Sequence, residues 1–120
     1  LSGTMACLID RTRCFTFGKC GHLALKGKVG AALAVGWCRN LGMETTLASL
    51  HGAFLVHEMQ APSCHAAGAM YGVGVVSGQR DESFAYRREK LGVKNDREGL
   101  HAAGLYVREV IRAAGGHLGG

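Results

Sequence analysis

The sequence predicts an α/β fold, in which helices flank a parallel sheet. The first observation is the order of the elements, because helix, apolar strand, helix, strand and helix alternate along the chain. The second is the uninterrupted apolar run Val29–Val35, which is typical of a strand covered on both faces in a parallel sheet. The chain has 120 residues, 48% of them hydrophobic, which is the size of one domain, and we assign that domain to residues 1–120.

The chain opens with a predicted helix over Ser2–Thr12. Ser2 is a good N-cap residue, and the residues that follow it recur at the spacing of one buried stripe. This stripe consists of Met5, Leu8, Ile9 and Thr12. Residues Cys14–Gly27 mix glycines and basic residues without periodicity, which indicates a surface connection before the strand Val29–Val35.

After the loop Gly36–Met43, a second helix is predicted over Glu44–His57, where apolar residues again recur at helical intervals. Beyond this helix, Met59–Ser63 indicates a short strand and Val73–Val76 an extended segment. The charged segment Gly78–Gly92 indicates a long polar loop or a short charged helix.

The last predicted helix begins at a capping box that Asn95 and Glu98 form. Its apolar residues continue at helical spacing to Ala114, and Gly115 and Gly116 end it. No internal repeat or second domain is evident, so these elements belong to one domain.

The composition narrows the classes of partner. The net charge of +5 favours anionic ligands or an acidic partner. The basic residues are spread along the chain without interleaved aromatic residues, so a nucleic acid is not the expected partner. No apolar run approaches the length of a membrane span. The five cysteines form no regular framework, which favours a reducing, cytoplasmic location.

The segment Gly36–Thr46 is the first candidate site, because it follows a buried strand and opens a helix. Its sequence, GWCRNLGMETT, together with Ser2–Met5 and Leu8–Thr12, resembles the NADPH-dependent FMN reductase superfamily. Within that superfamily the likeness is to iron–sulfur flavoproteins and related NAD(P)H:quinone oxidoreductases. The segment His57–Met59 also falls where these proteins have a His-Gly-Met-like segment before a strand.

The resemblance implies a flavodoxin-like sheet of five parallel strands, of which this chain would be the C-terminal portion. In the family, the loop that binds the flavin phosphate precedes the segment matched by Ser2–Met5. The resemblance further implies FMN as cofactor, NAD(P)H as electron donor and a quinone or another small molecule as acceptor. It also implies a homo-oligomer, since such proteins complete the flavin pocket between subunits.

The resemblance also implies which residues lie near the flavin. The expected cofactor-binding residues are Ser2, Gly3, Thr4, Met5, Gly36, Trp37, Cys38, Arg39, Asn40, Gly42, Glu44 and His57. Backbone amides of the loop would donate hydrogen bonds to the flavin ring. No residue is assigned as catalytic, because hydride transfer to a flavin needs no protein proton donor.

Several alternatives stay open from the residues alone. His57 and Trp37 would each serve equally well as packed side chains, and Arg39 as an exposed charge. The side chains of Cys14, Cys20 and His22 lie close together in sequence and would supply metal ligands, although their spacing is unusual for a zinc site. The whole chain would alternatively be a non-catalytic remnant or assembly subunit that has lost the FMN phosphate site.

Overall fold

A computed structural model describes residues 1–18 and 22–115 and has the predicted α/β arrangement, with helices flanking a parallel pair of strands. The helices are α1 (Gly3–Arg11), α2 (Arg13–Phe17), α3 (Met43–Val56) and α4 (Arg97–Ala113). The strands are β1 (Leu33–Gly36), β2 (Val73–Val76), β3 (Gly78–Arg80) and β4 (Tyr86–Leu91). Two short 3-10 turns cover His65–Ala67 and Val93–Asn95.

The parallel pair β1–β2 is the centre of the described fold. Leu33 lies opposite Val73 and Gly36 opposite Val76, so the carboxyl ends of both strands meet at one edge. Before the start of β1, Val29 forms a single parallel bridge with Gln60. This bridge is all that the described structure keeps of the predicted strand Met59–Ser63, and the predicted strand over Val29–Val35 shortens and shifts to Leu33–Gly36.

The helices cover the pair from opposite faces. On one face α3 packs its Leu47 against Ala32 and Ala34. On the other face α4 packs its Tyr106 against Val73 and Val75. The faces are distinct because the side chains of a strand alternate, and Ala34 pairs in register with Gly74, between the two valines.

The prediction that the first strand is covered on both faces is wrong for β1 in the described chain. Leu33 and Val35 are 58% and 61% exposed. They share the face of Val73 and Val75, but α4 lies over β2 and does not reach β1. The apolar run therefore correctly indicated a strand, but half of its apolar surface has no covering element among the described residues.

The opening helix is confirmed, but the buried stripe predicted for it is wrong. The Ser2 hydroxyl accepts from the Met5 amide at 3.2 Å, as expected of an N-cap. No residue of α1 is buried, and Leu8 is 56% exposed. The surface connection predicted from Cys14 is also wrong at its start, because Thr12 stays in helical conformation and leads directly into α2.

The segment predicted as a polar loop or charged helix is instead an antiparallel hairpin of β3 and β4. Its turn is built around Asp81, whose Oδ1 accepts from the amides of Ser83 and Ala85 at 2.9 and 3.0 Å. Phe84 adopts a φ of +62° in this turn. Since neither glycine nor an Asn-Gly pair marks it, the sequence carries no ordinary hairpin signal there.

The final helix α4 is confirmed, with a correction at its cap. The cap is Asp96, whose side chain accepts from the Gly99 amide, whereas the Asn95 side chain donates to the Leu91 carbonyl. Gly115, with a φ of +79°, follows the helix as predicted. Across the residues that the structure describes, no helix is both long and apolar enough to span a membrane.

His57 joins α3 to the first two helices and is 5% exposed. The Thr12 hydroxyl donates to the Ile9 carbonyl at 2.5 Å, so it accepts a hydrogen bond from His57 Nε2, 2.7 Å away. The Thr16 hydroxyl then donates to Nδ1 at 3.1 Å. Both ring nitrogens are therefore used within the fold, and the histidine is a packed structural residue in this position.

We expect His57→Ala to lower the free energy of unfolding by about 2–3 kcal/mol, because it leaves buried hydroxyl groups without a partner and opens a cavity. Urea denaturation followed by circular dichroism measures the change. The control is His101→Ala, which removes an exposed imidazole from α4 and should change the free energy by less than about 0.5 kcal/mol. Equal losses in both variants would contradict the structural role of His57.

Candidate functional site

The loop formed by residues 37–42 connects the carboxyl end of β1 to the start of α3. Asn40 and Gly42 adopt positive φ angles of 61° and 86°, which turn the chain sharply before the helix begins. Asn40, Leu41 and Gly42 are exposed. The turn therefore faces outward from the end of the sheet, as expected of a ligand-binding loop in an α/β fold.

A buried carboxylate holds this loop against the rest of the fold. The Arg39 guanidinium donates to Asp96 Oδ1 at 2.6 Å, and Asp96 is 2% exposed. The same carboxylate accepts from the Gly99 amide at 3.0 Å and from the Val76 amide at 2.8 Å. Asp96 therefore connects the loop, the end of β2 and the first turn of α4 through one side chain.

Glu98 adds a second, weaker anchor for Arg39. Its Oε2 lies 3.2 Å from the guanidinium, but the Glu98 side chain is 83% exposed. Water screens such a pair strongly, so we expect it to contribute little to stability. The buried Asp96 determines where Arg39 lies.

A cavity of about 390 Å³ lies beside the loop, between the first turns of α3 and α4. Its apolar wall includes Met43, Leu47 and Ala102, and Gly74 leaves room where β2 passes Met43. Asn40 lies at its rim, together with the charged residues Arg39, Glu44 and Glu98. This volume falls within the range of sites that bind small organic molecules.

The rim of the cavity offers backbone hydrogen-bond donors. Among the described residues, the amides of residues 39–42 have no hydrogen-bond acceptor. The helix α3 begins after Gly42, which has no side chain to cap it, so its first amides also lack a partner within the helix. Loop and helix together present a row of N–H groups that suits a ligand with carbonyl or ring-nitrogen acceptors.

The structure separates the expected N-terminal residues from the cavity and brings only three of the seven expected loop residues to this cavity. Asn40, Arg39 and Glu44 line it. Ser2 and Met5 instead share a second groove of about 290 Å³ with Gly36 and Gly42 on the other side of the loop. Gly3 and Thr4 are exposed on α1.

Three other expected residues take different positions. His57 is buried among hydroxyl groups at the end of α3 and lines neither the cavity nor the groove beside the loop. Trp37 and Cys38 face the hairpin, where the Cys38 thiol contacts the Tyr86 hydroxyl and the Trp37 ring lies 5.2 Å from that of Tyr86. The first two residues of the loop therefore contact the hairpin and do not line the cavity.

The sequence analysis did not predict two features of the site. Asp96 follows the predicted capping residue Asn95 and directly precedes the helix. An aspartate at this position is a favourable N-cap, and this was the signal that could have identified it. Arg80 and Tyr86 lie on the hairpin, and their approach to the loop depends on a strand pairing that the sequence did not indicate.

The described residues form no metal site. None of their His, Cys, Asp and Glu side chains gather in groups of three or more that would hold a metal ion. Of the predicted ligand set Cys14, Cys20 and His22, Cys20 lies outside the described residues.

Comparison with known proteins identifies two curated relatives, both from Methanocaldococcus jannaschii and both named iron-sulfur flavoproteins. One is 35% identical over 120 residues, covering 93% of this chain and 52% of the relative. The other is 34% identical over 100 residues, covering 83% of this chain and 46% of the relative. The chain is similar to iron-sulfur flavoproteins. It spans about half the length of the curated relatives it matches.

No protein-family model matches the chain, and no solved structure matches it. The likeness to iron-sulfur flavoproteins therefore rests on the two curated relatives, and it agrees with the resemblance seen in the loop sequence. The parallel pair with helices on both faces is consistent with part of a flavodoxin-like sheet.

We expect Asp96→Ala to lower the free energy of unfolding by about 2–4 kcal/mol, from the lost helix cap and the Val76 amide left without an acceptor. The control is Glu98→Ala, which removes the exposed partner of the same arginine and should cost less than about 1 kcal/mol. Urea denaturation measures both values. A loss in Glu98→Ala as large as that in Asp96→Ala would show that Asp96 is not the main anchor.

Proposed function

We propose that this chain forms the flavin-ring side of an FMN-dependent oxidoreductase. Electrons would pass from NAD(P)H through the flavin to a quinone or another small acceptor. The observation that carries the proposal is the outward-facing loop at residues 37–42, with its unpaired amides, beside a cavity of about 390 Å³. The similarity to two iron-sulfur flavoproteins supports it.

The donor set at the cavity fits the edge of a flavin ring. The pyrimidine end of the ring carries carbonyl oxygens and ring nitrogens that accept hydrogen bonds, and the loop and the start of α3 offer N–H donors. Met43 and Leu47 would contact the flat apolar surface of the ring. When bound, flavin supplies the hydride chemistry, and the loop amides would favour the electron-rich form by donating hydrogen bonds to it.

The described residues do not fit the other cofactor groups equally well. No glycine-rich loop with Ser or Thr donors joins a strand to a helix in residues 1–18 and 22–115, so the proposed site holds the ring and not the FMN phosphate. An iron–sulfur cluster needs several cysteines together, and the four described cysteines do not gather into a metal site.

The proposal includes a homo-oligomer, and the exposed face of β1 supports it. Leu33 and Val35 present apolar surface next to a strand edge that no described residue pairs with. Exposed strand edges of this kind tend to associate with another chain. A second copy would cover this surface.

A second candidate function is a non-catalytic flavodoxin-like remnant or assembly subunit. The missing phosphate loop among the described residues favours it. Such a subunit would keep the sheet and its association surface but would not take up flavin.

Titration with riboflavin and FMN tests the proposed function. Because the described residues provide no phosphate loop, we expect both flavins to bind with dissociation constants within about threefold of each other. Quenching of flavin fluorescence and equilibrium dialysis measure the two constants, and loss of absorbance near 450 nm after addition of NADPH measures reduction. Absence of binding by either flavin would favour the non-catalytic subunit.

Matched variants locate the flavin. Ala66 lies exposed at the cavity, so Ala66→Trp should obstruct it and weaken flavin binding at least tenfold without disturbing the core. Ala113→Trp places the same side chain on the exposed end of α4 and should leave binding unchanged. Equal affinities in the two variants would contradict the assignment of the flavin to this cavity.

A further inference from the structure

A further cavity, of about 340 Å³, lies where the start of the loop meets the β3–β4 hairpin. Arg39 lines both this hairpin cavity and the cavity proposed for the flavin ring. The two spaces are therefore neighbours separated by one side chain of the loop. The hairpin cavity has no part in the function argued so far.

Aromatic side chains form a platform beside the hairpin cavity. The rings of Trp37 and Tyr86 lie 5.2 Å apart at 43°, and their side chains remain 49% and 39% exposed. Gly78 donates its amide to the Trp37 carbonyl at 2.8 Å, and a Cβ at Gly78 would come within 2.9 Å of the indole. Glycine at this position therefore lets the hairpin pack directly against the tryptophan and holds the platform in place.

The charged side chain of Arg80 lies next to these aromatic rings. The Arg80 guanidinium carbon lies 4.9 Å from the centre of the Tyr86 ring. Hydrogen bonding to the Tyr86 hydroxyl raises the pKa of Arg80, so the guanidinium stays charged throughout the physiological range. Among the described residues Arg80 forms no ion pair, whereas Arg39 is neutralised by Asp96 and Glu98.

We propose that the hairpin cavity binds a planar aromatic anion, such as an aromatic carboxylate or sulfonate. The ring of the ligand would contact Tyr86, which lines the cavity and against which Trp37 packs, and its acidic group would accept hydrogen bonds from Arg80. The described side chains that line the cavity include no carboxylate, and Arg80 supplies a guanidinium without an ion pair, which favours an anion over a neutral or cationic ring. The net charge of +5 favours its approach.

The role of this ligand rests on the proposed function. If the first cavity holds flavin, an acidic quinone in the hairpin cavity would be the electron acceptor. It would gain two electrons and two protons from the reduced flavin and become a hydroquinone. Binding of the aromatic anion itself requires no flavin, so it can be measured separately.

The single tryptophan of the chain provides the measurement. Titration of the flavin-free protein with anthraquinone-2-sulfonate should quench the Trp37 fluorescence to saturation, and neutral 2-(hydroxymethyl)anthraquinone should bind more weakly. We expect Arg80→Gln to weaken binding of the sulfonate about tenfold and to leave binding of the neutral compound unchanged. Arg112→Gln is the control, because it removes the same charge from an exposed arginine at the end of α4.

The outcomes separate the two proposals. Equal weakening by Arg80→Gln and Arg112→Gln, or the absence of saturable quenching, would overturn the anion site and leave the flavin proposal standing. Saturable binding that depends on Arg80, in a protein that takes up no flavin, would support the anion site and contradict the flavin function. Calorimetry on Ala66→Trp should give an unchanged sulfonate affinity, and a tenfold loss there would move the anion into the first cavity.

Discussion

The buried carboxylate of Asp96 is the constraint on which the site geometry depends. A charged group that is 2% exposed needs its hydrogen bonds satisfied, and Asp96 meets this need from three different parts of the chain. Its partners are the guanidinium of Arg39, the amide of Val76 and the amide of Gly99. Because these groups belong to the loop, to β2 and to α4, one carboxylate fixes the loop at the end of the sheet.

Local patterns in the sequence predicted the elements that depend on nearby residues. The helices α1, α3 and α4 follow from helical spacing and caps within a few positions, and β1 follows from a continuous apolar run. Burial was not predictable in the same way. The stripe of α1 has the spacing of a buried face, but whether another element covers it depends on distant parts of the chain, and in the described structure only Ile9 and Thr12 are half-buried.

The candidate site was likewise predictable only where it depends on residues that are close in sequence. The loop at residues 37–42 was found because a strand precedes it and a helix follows it, and both signals are local. Its anchor Asp96 lies 57 residues from Arg39, and Tyr86, which the hairpin brings to Cys38, lies 48 residues from it. No local sequence pattern predicts contacts between residues so far apart in the chain. The turn at Asp81 also could not be recognised from the sequence, because side-chain hydrogen bonds replace the glycine that normally marks a hairpin turn.

The two edges of the parallel pair differ in their capacity to accept another strand. At β2, the Val76 amide points away from β1 and already donates to Asp96, so the carboxyl end of this edge is blocked. At β1, no described strand pairs with the outer edge, and Leu33 and Val35 expose apolar surface next to it. A strand that joins this sheet, including one from a second copy of the chain, must therefore add at β1. Growth at that edge leaves the loop and both cavities open, because they lie at the carboxyl ends of the strands and on the β2 side.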